Sequence, residues 1–386
     1  MGLFILLQSQ QQFMSNYNSD KIPILSFYSG GGFLDMGFEM ANFEIVWTNE
    51  FDKVIAELHA AGITSWRKSK GNGVRAEIFN TKSITDISSA EILKEAFPNG
   101  RPKLFGIIGG PPCQDFSING NLKGFKGERG KLTTLFFNKI SELKPSFFVM
   151  ENVTGLINGK SHKEHFEILI KRLEVEYYVD HKILNALNFG VPQSRERVFF
   201  IGIKKSFINK KEKLKLKTTK WFDWPVNKKY LNALQKYDWP TTSEYGKSLS
   251  KPIALPFELC VESCLIPNSK MLSIPNANEY FPFRAELNKL ISIKEGETNR
   301  PSFKRLHRFR YSPTACYGNN EVHMHPYKNR RLSVRESLRI QGVPDTYILP
   351  ETLSRSKKFK MIGNGVPVPL AKAVASSIKE FLVMLK

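Results

Sequence analysis

Cysteine is scarce in this chain. Cys113, Cys260, Cys264 and Cys316 are spread over 386 residues, too few and too scattered to staple a fold of this size with disulfides. They imply a reducing, cytoplasmic setting. Cys260 and Cys264 are spaced too widely for a two-residue knuckle and no second pair follows, so zinc is not expected. Cys316, His323 and His325 read as separate loop and strand residues, and no metal site is expected. Acid is the second shortage: 36 Asp and Glu stand against 57 Lys and Arg, a formal net charge of +21. So positive a field favours a polyanionic partner, nucleic acid before an anionic membrane. Long apolar runs are also missing. Met1–Leu7 is apolar, yet it has no basic n-region and is too short for a signal peptide or a membrane span. Leu6 stands where a myristoylation signal has Ser or Thr. Residues 1–20 are expected to form a loose extension, and no internal repeat is visible.

What is present is alternation. Ile22–Tyr28, Glu44–Asn49, Ile84–Ile87, Leu104–Ile108, Phe147–Met150, Tyr177–Ala186 and Val198–Ile203 read as short apolar strands. Between several of them lie amphipathic stretches, Asp52–Ala61, Ser89–Phe97, Leu135–Leu143 and Lys163–Leu173. Such alternation predicts an α/β fold with a mostly parallel sheet covered on both faces. The pattern stops at Lys204. Lys204–Lys220 is dense in lysine with a single acid, Glu212, and the sequence then stays irregular to about Arg300. A second, smaller domain of loops and short strands is expected there, with Trp221-Phe222-Asp223-Trp224-Pro225 in its core. Regularity returns in a helix over Ser333–Gln341 capped by Ser333, and in a longer one over Leu370–Leu385 just past Pro367 and Pro369. The expected units are residues 1–20, then 21–204 together with 345–386, then 205–344.

Two motifs carry chemistry. The strand ending at Tyr28 runs into Ser29-Gly30-Gly31-Gly32-Phe33, and a helix starts near Leu34. Strand, glycine turn and helix let a backbone approach a nucleotide-like ligand closely. No lysine follows the glycines, which argues against a P-loop. Glu50, about twenty residues on, is placed to accept ribose hydroxyls, and Asp86, read as ending the third strand, to take an adenine amino group. A nucleoside cofactor without phosphates fits best. The second motif is Gly109-Gly110-Pro111-Pro112-Cys113-Gln114-Asp115-Phe116-Ser117, directly after a buried strand. Two prolines fix φ and remove two amide donors, so Cys113 is held on a stiff ledge where open α/β sheets place their chemistry. It reads as a nucleophile.

Taken together and in order, these pieces resemble the cytosine-5 DNA methyltransferases. The resemblance rests on Phe27-Tyr28-Ser29-Gly30-Gly31-Gly32, Glu50, Asp86, Pro111-Pro112-Cys113-Gln114, Glu151-Asn152-Val153 and Gln193-Ser194-Arg195-Glu196-Arg197. It continues through Arg331-Leu332-Ser333-Val334-Arg335-Glu336 with Gln341-Gly342, and Gly363-Asn364-Gly365-Val366-Pro367. It covers everything but the extreme N-terminus and roughly 205–300. Three departures stand out. Ser26 replaces an acid usual in the family, Phe33 replaces a common glycine, and extra residues separate Arg129-Gly130 from Leu135.

The resemblance implies a Rossmann-like, S-adenosylmethionine-dependent methyltransferase sheet with a smaller, irregular target-recognition domain. Cys113, Glu151, Arg195 and Arg197 would be catalytic: the Cys113 thiolate adds to cytosine C6 and makes C5 nucleophilic. Glu151 would hold the N3 edge, Arg195 would bind the O2 side, and Arg197 would brace the site. Tyr28, Ser29, Gly30, Gly31, Gly32, Glu50, Phe51, Asp86, Ile87, Pro112, Asn364 and Val366 would line the S-adenosylmethionine site. The partner would be double-stranded DNA, whose target base must leave the stack to be reached. Ile118–Gly130, with four glycines among Lys123, Lys126 and Arg129, suits a closing loop. Gln114, Ser117 and Asn119 would complete the DNA contacts, Asn119 filling the gap left by the flipped base. Sequence specificity is expected in roughly 205–330. A tRNA-modifying branch shares these motifs but usually carries a Cys-Phe-Thr segment, which is not found here. A non-catalytic relative would lack Cys113 or Glu151. The chain shows no long regulatory extension, which suits a bacterial restriction–modification or solitary enzyme, a monomer at the nucleoid with a cognate endonuclease as a functional pair.

Overall fold

The computed structural model describes residues 21–71, 78–112, 128–158, 160–208, 220–283, 286–317 and 321–385. Its centre is a seven-stranded sheet of β1 (Ile22–Phe27), β2 (Phe43–Asn49), β3 (Ile78–Asn80), β4 (Gly106–Gly109), β5 (Phe147–Asn152), β6 (Tyr177–Asn185) and β7 (Glu196–Lys204). The order is β3-β2-β1-β4-β5-β7-β6. Pairs from β3 to β5 are parallel, whereas β7 runs antiparallel to both β5 and β6. The carboxyl ends of β1, β2, β4 and β5 therefore share one edge, with Phe27 level with Asn49 and with Gly109. Reversal of β7 brings its start to the same edge, where Val198 faces Asn152. Because β2 leaves β1 on one side and β4 on the other, a switch point opens between β1 and β4, the place where open α/β sheets hold ligands.

The helices start where the sequence supplies caps. Asp52 accepts the Val54 and Ile55 amides at the head of α2 (Lys53–Ser69), and Ser88 accepts the Glu91 amide before α3 (Ser89–Ala96). The first helix, α1 (Phe33–Met40), has no side-chain cap and begins at Gly32 in left-handed conformation, φ 72°. α4 (Glu128–Leu143) and α5 (Lys160–Glu174) cover β4 and β5. The expected cap at Ser333 is present as a full capping box with Glu336, opening α6 (Val334–Ile340). α7 (Arg355–Asn364) and α8 (Val368–Met384) complete the chain, α8 with proline in its first turn. α8 packs on α1 so closely that a Cβ at Gly37 would lie 2.4 Å from the Ala371 Cβ.

Successive strand residues point to opposite faces. Ile24, Phe43, Phe147 and Ile201 meet Leu370, Val374 and Ile378 of α8 on one face. Leu25, Trp47, Ile107 and Phe148 meet Phe136, Ile140 and Phe166 of α4 and α5 on the other. A third apolar cluster joins Phe33, Met36 and Leu58 of the first two helices to Leu306, Leu332, Leu338 and Tyr347.

Three expectations are corrected. The third strand is Ile78–Asn80, and Ile84–Ile87 is a loop whose Ile84 and Ile87 are buried while Thr85 and Asp86 are exposed. The aromatic run at 221–224 is core, but of the catalytic sheet: Phe222 donates its amide to Asp180 of β6 at 3.0 Å, and Trp221 packs on Phe381 of α8. Among the described residues the irregular region also has no single core of its own. Its buried residues fall into small clusters and into the cluster shared with α1 and α2.

Candidate active site

The glycine loop is held from beneath by buried polar groups. Gly30 (φ 54°) and Gly32 (φ 72°) adopt a conformation costly for other residues, and a Cβ at Gly32 would collide with the His59 ring at 2.7 Å. His59 lies fully buried with Nδ1 3.1 Å from the Gly30 carbonyl. A carbonyl only accepts, so Nδ1 carries the proton. Nε2 faces Asp35 at 3.7 Å, and Asp35 in turn accepts the Ser26 hydroxyl at 2.6 Å. Ser26, where the family has an acid, thus hydrogen-bonds to an acid supplied from α1. Phe33, the second departure, is buried against Tyr347 and lies where a Cβ at Gly365 would meet it at 2.2 Å. The Tyr347 hydroxyl donates to the Gly31 carbonyl at 2.8 Å.

Glu50 closes the loop from the β2 side. One carboxylate oxygen accepts the Gly30 amide at 3.0 Å and the other the Asp52 amide at 2.9 Å. Burial pushes its pKa up, while those amides and Lys357 oppose the shift. Each oxygen keeps a second acceptor position for a ligand hydroxyl. Beside it Phe51 is 69% exposed, a bare aromatic face at the sheet edge. Tyr28 has left-handed backbone (φ 52°) and ties its hydroxyl to the Leu132 carbonyl at 3.1 Å, and the Ser29 amide donates to Asn49. Asn364 is exposed at the end of α7, and Val366 is buried against the core. Asp86 lies in the exposed loop, accepting the Thr85 hydroxyl, and Ile87 is buried with its carbonyl on Lys139.

At the other side of the switch point stands Glu151, the fifth residue of β5. Its backbone is level with Phe199 of β7. Its side chain approaches Gly110, where a Cβ would sit 3.0 Å from Oε2. A side chain at Gly110 would crowd the carboxylate. Asn152, next along, donates to the Pro111 carbonyl at 3.2 Å and so fastens the ledge to β5. Pro112 is half-buried at the end of that ledge. Cys113, Gln114, Ser117, Asn119, Lys123 and Lys126 lie outside the described residues, as does the side chain of Arg129.

The two arginines, expected to bind the base and to brace the site, make different contacts. Arg197 Nε is 2.9 Å from Glu151 Oε1. Arg195 is fully buried and donates to the Ala315 carbonyl at 3.1 Å and the Gly363 carbonyl at 2.7 Å. A guanidinium spent on backbone carbonyls is a brace for the segments around 315 and 363, and of the two arginines Arg197 is the one that meets Glu151. Desolvation raises the Glu151 pKa, opposed first by Arg197 and then by Arg195. A carboxyl so placed holds a proton at higher pH than an exposed one.

His59, Tyr347 and Asn152 take part without having been singled out. Asn152 stood inside a recognised motif, whereas nothing local marks His59 or Tyr347. Among the described residues no group of three or more His, Cys, Asp or Glu is placed to hold a metal. Burial pushes the Cys260 and Cys264 thiols up to about 11 and about 12, while Cys316 is exposed. No described helix is long and apolar enough to cross a membrane.

The likenesses to known proteins agree with this geometry. Residues 22–380 match the model of the C-5 cytosine-specific DNA methylases, and the chain belongs to that family. Its reaction class is DNA (cytosine-5) methylation. The Type II methyltransferase M.NmeDI of Neisseria meningitidis serogroup C is 40% identical over 368 residues, 94% of this chain and 84% of that protein. The Type II methyltransferase M.FnuDI of Fusobacterium nucleatum is 33% identical over 94% of this chain and 95% of that one. In fold the chain is similar to the S. pombe Dnmt2 methyltransferase, with a TM-score of 0.58 at 15% identity over 94% of this chain and 99% of that structure.

Proposed function

We propose that this DNA methyltransferase rotates a target cytosine out of duplex DNA and methylates C5 after Cys113 has attacked C6. The observation that carries the reading is the Glu151–Arg197 pair at 2.9 Å beside the ledge that leads to Cys113. Cytosine offers an acceptor at N3, a donor at N4 and an acceptor at O2. A protonated Glu151 donates to N3 and accepts from N4, and Arg197 donates to O2. When the Cys113 thiolate bonds to C6, the displaced pair runs through C5 and C4 to N3, which takes the Glu151 proton. C5 gains enamine character. After C5 is methylated, its proton leaves to a base, the S–C6 bond breaks, and the N3 proton returns to Glu151. The fixed donors act in a site already desolvated, where charge interactions are strongest.

The glycine loop fits the methyl donor. Gly30 has open space where a Cβ would stand, Glu50 offers acceptors to ribose hydroxyls, and the exposed Phe51 ring offers a face to an adenine. S-adenosylmethionine held there supplies an electrophilic methyl group on a sulfonium. Asn364 and the Val366 backbone would close the site from the C-terminal segment. The Type II relatives support the modification half of a restriction–modification pair, and the enzyme is read as a cytoplasmic, nucleoid-bound monomer.

Incubation with methyl-labelled donor, duplex DNA and tRNA tests this. Label is expected in DNA cytosine alone and should vanish in Cys113→Ser. Label in tRNA alone, or full transfer by the serine variant, would overturn it. Bisulfite sequencing of DNA from an expressing host maps the site.

A further inference from the structure

Beyond the catalytic pair, an open cavity of about 320 Å³ lies where the start of β7 meets the irregular region. Its walls carry the hydroxyl residues Ser194, Thr298, Tyr311 and Thr314, with His307 and Arg310, and no carboxylate. The arginines around it are committed elsewhere. Arg308 chelates Glu295, Arg300 pairs with Glu297, and Arg305 is buried among five backbone carbonyls. Arg310 differs. It makes long bonds of 3.3 Å to the Pro240 carbonyl and the Tyr311 hydroxyl and lies over the Tyr311 ring at 5.1 Å. Among the described residues no carboxylate stands within ion-pair distance of it. Two bonds leave most of its five N–H donors for a ligand. His307 accepts the Phe309 amide at Nδ1, and burial depresses its pKa, so the cavity holds one cation.

Position identifies the ligand. Ser194 in the wall precedes Arg197 by three residues, and three extended residues span at most about 11 Å. A DNA strand places one phosphate about every 3.4 Å along its axis, so a strand whose cytosine reaches Glu151 and Arg197 brings its neighbouring phosphates within that reach. A guanidinium with hydroxyls and no acid is phosphate chemistry. Resting on the DNA reading above, we propose that this cavity seats a backbone phosphate next to the target nucleotide, with Arg310 as its cation and Thr298 beside it. The contact fixes the strand in register and carries no base preference.

Binding of two duplexes, one with the mapped methylation site and one scrambled, is measured by anisotropy over a KCl series. Arg310→Gln keeps a donor for Pro240 and removes the charge. It should weaken both duplexes about eightfold at 0.1 M salt, with a log–log salt slope shallower by about 0.9. Arg310→Lys should keep the wild-type slope. Thr298→Glu places an acid beside Arg310 on an intact scaffold and should flatten the slope likewise. Wild-type slopes in Arg310→Gln and Thr298→Glu would overturn the proposal. So would a loss confined to the mapped site, since that is base reading. Melting curves confirm that each variant is folded. A wild-type protein that methylates no DNA would sink the underlying reading, whereas a wild-type enzyme that methylates DNA with an indifferent Arg310 would sink the cavity alone.

Discussion

Arg197 reaches Glu151 across the antiparallel seam between β7 and β5, 2.9 Å from nitrogen to oxygen. Two residues earlier, Arg195 turns into the protein and takes the carbonyls of Ala315 and Gly363. The two arginines should fail differently. Arg197→Ala is expected to lower kcat about a hundredfold or more, the usual scale for losing a charge-stabilising donor. Arg195→Ala should cost about 2–5 kcal/mol of stability, because buried carbonyls lose their donors. Urea unfolding and steady-state methylation on both variants check this. Wild-type stability in Arg195→Ala would refute the brace.

Gly110 is expected to be sensitive to substitution for a reason unrelated to backbone freedom. A methyl group there would stand 3.0 Å from Glu151 Oε2. Gly110→Ala should shift the carboxyl by a few tenths of an ångström and lower kcat by up to about tenfold, part of the roughly hundredfold cost of a full ångström. Affinity for duplex DNA should hold. Anisotropy and turnover on one preparation separate the two quantities.

Burial raises the Glu151 pKa, so the proton that N3 needs is present below that raised value and lost as pH climbs through it. Turnover should therefore fall on the alkaline side with one ionisation. Glu151→Gln should be slower by about a hundredfold or more, as for lost general acid catalysis, and should lack that limb. A pH–kcat profile of both proteins tests it, and an identical alkaline limb in the glutamine variant would reassign the group.

Tyr347→Phe removes one hydroxyl, the one that holds the Gly31 carbonyl. The variant should lose about 1–3 kcal/mol, the cost of an unmet buried acceptor. It should also bind S-adenosylmethionine more weakly while saturating kcat changes little. Calorimetric titration of the donor against both proteins checks this; unchanged affinity would mean that the loop needs no such tether.

Two buried histidines make the fold acid-sensitive. Desolvation holds His323 down to about 3 and His325 down to about 2, against about 6.5 in the unfolded chain. His325 further accepts the Tyr327 and Lys328 amides at Nδ1. Below pH 6.5 the unfolded state binds protons that the folded state refuses, so stability falls with pH. At pH 5 the loss is about 2 kcal/mol per histidine. Denaturant midpoints at pH 7 and pH 5 should show it, and His323→Gln should recover part of the difference.

The legible parts of this chain were those set by local pattern. Alternating apolar segments placed β1, β2 and β5 through β7 to within a few residues, and Ser333 announced its helix. Ile84–Ile87 misled because two buried isoleucines in a loop look like a strand, while Ile78–Asn80 is too short to show a period. It exists only because Trp47–Asn49 offers it a partner. At the site, the ordered motifs named Glu151 and both arginines. Which arginine faces the carboxylate was not legible, since the carbonyls that capture Arg195 lie 120 and 168 residues away in sequence. The Ser26–Asp35–His59 chain was hidden for the same reason: each residue is ordinary alone, and only the fold stacks them under Gly30.

The bond between Tyr347 and the Gly31 carbonyl spans 316 residues of chain, and Gly37 receives Ala371 from a similar distance. The support for the first loop thus comes from a segment made 316 residues later. Such long-range closure is slow. Until Tyr347 has been made the glycine loop has nothing to lean on, so the capacity to bind its donor should appear abruptly once that segment has folded back, and not grow with the chain.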